Sequence, residues 1–547
     1  MKNKLFLSVF VLAAIAGGTD FVGHIDTVGS TTYDWQVNGP CDVYIYADSG
    51  FGVSVIWMYS SETSGSADRN IYYNYYDFAS AHWVGGVPVS SERCGYGNLD
   101  VNPVTHCAHV GCHQGNIYPT VGRDYAPGVG LFEPCVGSPN ADGYAWPSIN
   151  LSHSEKVHVA LAGQVSQEGP YYSRVSPWCT WSIPISIPQG EVPGSDMATY
   201  IAKASKTGQK VVISWVYSNI DPTLPAEGYY RQSADDGATW AHPVQIPFPP
   251  AYTPGSETTA SFYMAGIYPY LDYGDNLHVV AIVMPMIGGM GYAIPTEVWH
   301  WYQPTGLWSR IARHGCDGTH LRGSVGYNAL FANRPTLAEG ADDEFVCVWD
   351  AFDSMNVEPQ TGILRADVYA ARSADNGATW GPYLRLTDPD STTRIFPSLS
   401  PRMVFDTCWV RYEQDLCAGF GIAPYAQGPI TNNPIIVQRF GKQELPLPPV
   451  SIAQDRARTP QRLLLSVAPN PCPGRAVISY DLPEAGRVSL RVCDVSGHTV
   501  AVLVDGMLEP GIYRRDWQAP PGTPNGVFFL SLETAGRRES RKLVLSR

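Results

Sequence analysis

Charge is scarce in this chain. Only 16% of its 547 residues are Asp, Glu, Lys or Arg, and the basic ones are outnumbered 36 to 50. A net charge of −14 argues against a polyanion partner, so no nucleic-acid role is read here. Long apolar runs are missing too. Beyond residues 5–16 nothing approaches the length needed to cross a bilayer, and no transmembrane segment is assigned. What is plentiful points to β structure: 53 Gly, 45 Pro, 32 Tyr and 15 Trp. That mixture suits many short strands joined by turns and does not suit a helical enzyme or a disordered chain.

The first residues read as an export signal. Lys2 and Lys4 form a basic start, residues 5–16 an apolar run, and Ala14-Ile15-Ala16 a small-x-small cleavage pattern. Residues 1–16 are therefore expected to be removed, and the twelve cysteines become potential disulfides. Cys408 and Cys417 are close enough in sequence to pair across a hairpin, and Cys472 and Cys493 share one small C-terminal region.

Eight residues occur almost twice. "SADDGATW" spans 233–240 and "SADNGATW" spans 373–380. Asp235 and Asp375 can accept hydrogen bonds from backbone N–H groups downstream. Gly237 and Gly377 can take positive φ. Thr239-Trp240 and Thr379-Trp380 then re-enter a strand with a β-branched residue and a large apolar anchor. Each octapeptide is read as a hairpin connection whose Trp plugs into a core. "NYYDFASAHW" (74–83) and "YQPTGLW" (302–308) are eroded versions that keep the Trp.

A strand precedes each turn. "FGVSVIW" (51–57), "QKVVISW" (209–215), "DEFVCVW" (343–349) and "MVFDTCW" (403–409) alternate and end in Trp; residues 106–113, 155–162 and 276–283 are weaker copies. Entry strands lie upstream, among them "WPSINL" (146–151), "YPYLDY" (268–273), "RPTLAEG" (334–340) and "FPSLSP" (396–401). The spacing of about 50–70 residues is that of propeller blades. Seven units fit between 21 and 443, with six blades as the alternative if two weak copies share a blade. Residues 444–462 are Pro-rich and then charged, and read as a linker.

The pattern Ser-x-Asp-x-Gly-x-Thr-Trp resembles the Asp box of sialidase-like (BNR) β-propellers. The resemblance implies that Ser233, Asp235, Gly237, Thr239 and Trp240, with Ser373, Asp375, Gly377, Thr379 and Trp380, are structural and lie away from the ligand. Sialidases hold a substrate carboxylate with three arginines and use a Tyr–Glu pair. The residues expected on the face opposite the boxes are Arg334, Arg394, Arg411, Tyr412 and Glu413. The family's Arg-Ile-Pro near the first blade is missing, and "RIFP" (394–397) is the nearest text. The expectation is a propeller that binds glycan or protein through that face, with a sialidase-type exo-glycoside hydrolase as the alternative; no catalytic residue is assigned.

Residues 94–114 gather Cys94, His106, Cys107, His109, Cys112 and His113. Three readings stay open: a blade strand that carries histidines, a zinc or copper site, and a loosened c-type haem motif in Cys107-x4-Cys112-His113, whose spacing is longer than haem attachment uses. The spacing matches no clean ligand pattern. No metal and no cofactor is assigned.

From 460 onward the chain has 11 Lys/Arg and 8 Asp/Glu, against 25 and 42 before it, so the two parts differ in character. Residues 463–547 read as an Ig-like β-sandwich of short alternating strands. The order Pro469-Asn470-Pro471, Tyr480-x-Leu482-Pro483, Asp494-x-x-Gly497, Gly511, Trp517, Gly526-Val527 and Arg541-Lys542-Leu543-Val544 resembles the type A C-terminal sorting domain of the type IX secretion system, with its FlgD-like Ig fold. Cys472 and Cys493 stand where that family commonly has aromatics. The resemblance implies passage through the periplasm to the outer-membrane surface or the medium, with the secretion machinery as partner.

Overall fold

The computed structural model describes residues 22–448 and 464–546, apart from 38–41, 65, 116, 139–142, 164–168, 195–199, 219–223, 251–260, 288–289, 292–293, 317, 342, 469, 483–485, 509–510, 521 and 535–536. The signal reading over 1–16, Pro469, Pro483 and most of the linker fall outside them. Among the described residues the chain is all-β apart from two 3-10 turns, and no helix is long and apolar enough to cross a membrane. It divides into two compact units, residues 1–448 and 449–547.

The first unit is a seven-bladed β-propeller. Its blades start from the inner strands Ile45–Asp48, Cys94–Val101, Tyr144–Leu151, Tyr200–Ala204, Ser261–Leu271, Ala332–Glu339 and Thr393–Leu399, here blades 1 to 7. The four Trp-ending runs and their three weaker copies fall on the second strands of these seven sheets, so the six-blade count falls away. Blade 7 is completed by a strand from the beginning of the chain. Its outermost strand is His24–Thr31, paired antiparallel with Asn433–Gly441. The sequence reading missed this closure, because "HIDTVGST" carries no alternating apolar pattern.

Each inner strand is an edge and needs partners for its free N–H groups. Polar side chains of the neighbouring inner strand supply them. Ile149 N–H donates to Asn98 Oδ1 (3.3 Å), Leu151 N–H to Asp100 Oδ2 (2.6 Å), Ala202 N–H to Ser148 Oγ (3.1 Å) and Ala204 N–H to Asn150 Oδ1 (2.9 Å). Tyr44 and Ala47 N–H donate to Ser398 Oγ and Ser400 Oγ, 2.9 and 2.8 Å away, which joins blade 7 to blade 1. The alternation of Ser or Asn with Ile or Leu in "SINLS" and "SLS" is thus a device for joining blades.

The two octapeptides fold identically, between the third and fourth strands of blades 4 and 6. Thr239 N–H and Oγ donate to Asp235 at 2.8 and 2.6 Å; Thr379 does the same to Asp375 at the same distances. Gly237 and Gly377 both have φ of 75°. A Cβ there would meet the Tyr172 hydroxyl at 1.7 Å and the His300 ring at 2.2 Å, so glycine is required twice over. Each Trp packs against a core, as the sequence reading expected, but half-buried at the seam with the preceding blade rather than inside its own. Trp240 packs edge-on to Tyr172 of blade 3 at 4.7 Å, and Trp380 to His300 of blade 5 at 5.6 Å, with its indole N–H on Ser309 Oγ at 3.1 Å. Both are half-buried fillers between blades.

The expected disulfides are corrected. Cys408 and Cys417 are free, because the strand Thr407–Asp415 holds them beyond bonding reach at opposite ends, at about 3.3 Å per residue. Cys472 and Cys493 are free as well; Cys472 enters the core of the second unit while Cys493 takes an alternate, partly exposed position. Among the described residues the one disulfide joins Cys135 in the outer strand of blade 2 to Cys179 in a turn of blade 3.

The second unit is a sandwich. One sheet is Leu464–Ala468, Arg475–Leu482 and Gly511–Gln518; the other is Thr499–Leu508, Gly486–Cys493, Gly526–Thr534 and Arg537–Leu545. Trp517, Tyr480, Leu490 and Leu543 fill it. Asn470 clips the last strand, accepting from Val544 N–H at 2.8 Å and donating to Lys542 C=O at 2.7 Å.

Candidate functional site

In a propeller the starts of inner strands open at one end, and the turns between third and fourth strands lie at the other. The octapeptides mark the second end. At the first end lies a cavity of about 440 Å³, lined by blades 1, 4, 5, 6 and 7 through residues that include Asp42, Tyr44, Ser218, Met264, Ala265, Tyr268, Asn333, Arg334 and Pro397. Its size is that of a small-ligand site.

Inner strands are bulged at this end, those of blades 6 and 7 beside the cavity and those of blades 2 and 3 away from it. Register shifts fall at Gly95/Asn98, Ala145/Ser148, Asn333/Thr336 and Ile395/Ser398. At each bulge a large residue takes positive φ: Tyr96 at 51°, Trp146 at 47°, Arg334 at 51° and Phe396 at 57°. That backbone costs about 1–3 kcal/mol per non-glycine residue. Four such residues at matching places in four blades mark this end as built for something other than stability. A sequence signal existed: in "WPS", "RPT" and "FPS" a large residue precedes proline at the head of an entry strand.

Arg334 is the one expected residue that lines the cavity. Its guanidinium lies 4.2 Å from the centre of the Phe396 ring and 3.3 Å from Asp350. Burial pushes Asp350 up to about 6, opposed by Arg334 and by Asn333.

The other four expected residues do not join it. Arg394 is tied to Asp390 through both terminal nitrogens (3.0 and 2.6 Å) and to the Asp388 carbonyl (2.6 Å). Arg411 is fully buried, stacked 5.1 Å over Tyr44 and donating to Gln36 Oε1. Burial pulls it down to about 10, against the pull of Glu413 and Tyr44. Tyr412 packs with Val368 and Leu386 of blade 6, because successive strand residues face opposite ways. Burial raises its phenol. Three guanidiniums and a Tyr–Glu pair therefore do not converge.

Glu413 belongs to a buried acid cluster that the sequence reading did not assemble. Burial, then Asp415 and Asp34, raise Glu413 strongly, while Arg411 and Asn433 oppose. Asp34 is pushed up to about 6 and Asp415 to about 8, burial leading in both. Above Asp415 sits an aromatic rim. Trp35 stacks on Phe420 at 5.3 Å and meets Tyr327 and Tyr425 edge-on; Tyr327 and Tyr425 stack at 4.3 Å and 10°. Both tyrosines are 42% exposed. Arg334, Tyr327, Phe420 and Asp415 also line a small cavity of about 30 Å³, room for a water.

The histidines and cysteines of 94–113 scatter. His106 Nδ1 bonds Asp48 Oδ2 (2.7 Å), and His113 Nδ1 accepts from Trp146 N–H (3.1 Å). Among the described residues no group of three or more His, Cys, Asp or Glu is arranged to hold a metal.

No protein family matches this chain, and neither does any curated protein. Solved structures are similar only at a distance. A polysaccharide lyase described as an ulvan lyase aligns with a TM-score of 0.49 and 9% identity, over 76% of this chain and 96% of that one. A second polysaccharide lyase aligns at 0.43 and 10%, over 77% and 99%. A fungal alcohol oxidase in complex with copper aligns at 0.41 and 12%, over 95% and 100%. Likenesses at this level carry no argument about the chemistry of this chain.

Proposed function

We propose that the propeller binds a glycan at the end opposite the octapeptides. The observation that carries this is the exposed Tyr327–Tyr425 pair beside the cavity of about 440 Å³. Exposed aromatic faces suit the apolar faces of sugar rings, and a few placed polar groups such as Arg334, Asn333 and Asp42 suit hydroxyls. Binding is favoured over the sialidase-type reading because Arg394 is tied to Asp390 and Arg411 is fully buried against Tyr44 and Gln36, both away from the cavity. The test is calorimetric titration of the whole chain against a panel of soluble glycans, with a reducing-end assay on the same mixtures. Saturable binding without new reducing ends is expected. Release of sugar would restore the hydrolase reading, and silence across a broad panel would sink both.

The second unit is proposed as the sorting domain of a secreted or surface protein, addressed by the type IX machinery. Its support is the motif order and the Asn470 clip on Lys542 and Val544. Removing residues 463–547 should leave a folded propeller in the periplasm; normal arrival at the surface would refute this address.

A further inference from the structure

The ring of blades encloses a channel, and the channel is stopped at the octapeptide end. The residues at the far ends of six inner strands meet there. Arg402, just past the inner strand of blade 7, pairs with Glu339 of blade 6 and lies 3.0 Å from the centre of the Tyr273 ring of blade 5. Tyr270 of blade 5 donates within reach of Glu339 Oε2 (3.1 Å) and the Pro401 carbonyl (2.9 Å). Lys206 of blade 4 bonds Asp100 of blade 2 at 2.5 Å. Tyr46 of blade 1 is buried among Asp100, Arg402 and Tyr273. A second bar crosses nearer the cavity, where Asp42 takes Lys203 Nζ at 2.5 Å and Asn98 Nδ2 at 3.0 Å. These bonds are charge-assisted, and the plug residues Tyr46, Tyr270 and Arg402 are all buried. Among the described residues the cavity is therefore a blind well with one mouth, floored by paired charges, with the small cavity that Tyr327 lines sharing its wall at Ala329 and Arg334.

From this geometry we infer that the well receives the end of a glycan chain, or a short branch, rather than an internal stretch. This rests on the glycan-binding reading. A chain bound along its middle needs two exits, and among the described residues the well has one. The depth is formed by small or flexible residues, Ala265, Ala332 and Met264, whereas the floor is fixed by ion pairs. A terminal ring would enter by that mouth, and the remainder of the chain would leave the way it came.

The experiment uses the full chain and size-fractionated xylan, arabinan, polygalacturonate and amylose, with light scattering to count proteins per polymer chain. For whichever polymer binds, end recognition predicts a count that stays constant as polymer length grows, with affinity per mole of chain ends unchanged. A count that rises in proportion to length overturns the inference and leaves glycan binding standing. No binding to any of these or to the wider panel overturns the reading beneath it. Ala265→Trp, which fills the well, should weaken binding at least tenfold at unchanged melting temperature; full affinity in that variant also overturns the inference. If Ala265→Trp does not fold, Ser218→Trp at the mouth gives the same readout.

Discussion

The octapeptide turn of blade 4 and the acid cluster at the mouth use carboxylates in opposite ways. At the octapeptide end Asp235 is held at about 2, first by the Thr239 hydroxyl and then by backbone N–H groups. Burial would raise Asp236, yet His158, Lys156 and Ser154 more than offset it and the group is lowered. At the mouth Asp34, Asp350 and Asp415 are all raised, and Asp34 Oδ1 and Glu413 Oε2 are buried with no hydrogen-bond partner among the described residues. The first arrangement joins blades. The second keeps groups in a costly state, with four left-handed backbone residues at the same end.

The sharpest way to break this contrast is at the glycines of the octapeptides. Gly377→Ala adds a Cβ at positive φ against the His300 ring. It should cost about 2–4 kcal/mol in denaturant unfolding. An unchanged midpoint would show that the turn does not lock blade 6 to blade 5. Trp380→Ala removes the inter-blade filler and should cost about 2–3 kcal/mol, less than a fully buried Trp. Trp380→Phe should recover most of it, since the ring contact survives and only the bond to Ser309 is lost.

At the mouth the expected sign is reversed. Asp415 sits at about 8 in the fold against an ordinary 3.8, so its protonated form is the one the fold favours. That contribution is complete below about pH 4 and fades as pH rises through 8. The protein should lose stability between about pH 4 and pH 8, and Asp415→Asn should flatten the fall by a few kcal/mol, on the order of what such a shift carries. A profile that is the same in both proteins would remove the acid cluster from the contrast. The smallest effect is at the rim. Tyr327→Ala should leave the melting temperature within a degree or two and weaken glycan binding about tenfold, near 1.4 kcal/mol.

Much of the fold was legible because its signals are local. The Trp-ending runs, the entry strands and the repeated turn each declare a strand or hairpin within ten residues, and their spacing supplied seven blades. The site was legible only in part. Arg334 stood out at the head of an entry strand, but Arg411, Tyr412 and Glu413 were grouped because they are adjacent in sequence. Adjacency in a strand sends side chains to opposite faces. Asp34 meets Glu413 and Asp415 through chain closure between distant segments, and no local pattern announces such a meeting.

That closure also sets a timetable. His24–Thr31 has no partner until Asn433–Gly441 has been made. A chain emerging from its N-terminus can build the sheets of blades 1 to 6, yet its first strand waits unpaired through some four hundred residues of synthesis. Loop-closure entropy grows only slowly with length, so the wait adds little to the cost of the finished ring. Its weight falls on rate: the last event of assembly joins the oldest segment to one of the youngest, and contacts of such long sequence separation form slowly. A chain stopped short of residue 433 would keep a bare strand at its beginning and a gap in blade 7, however well its other blades had formed.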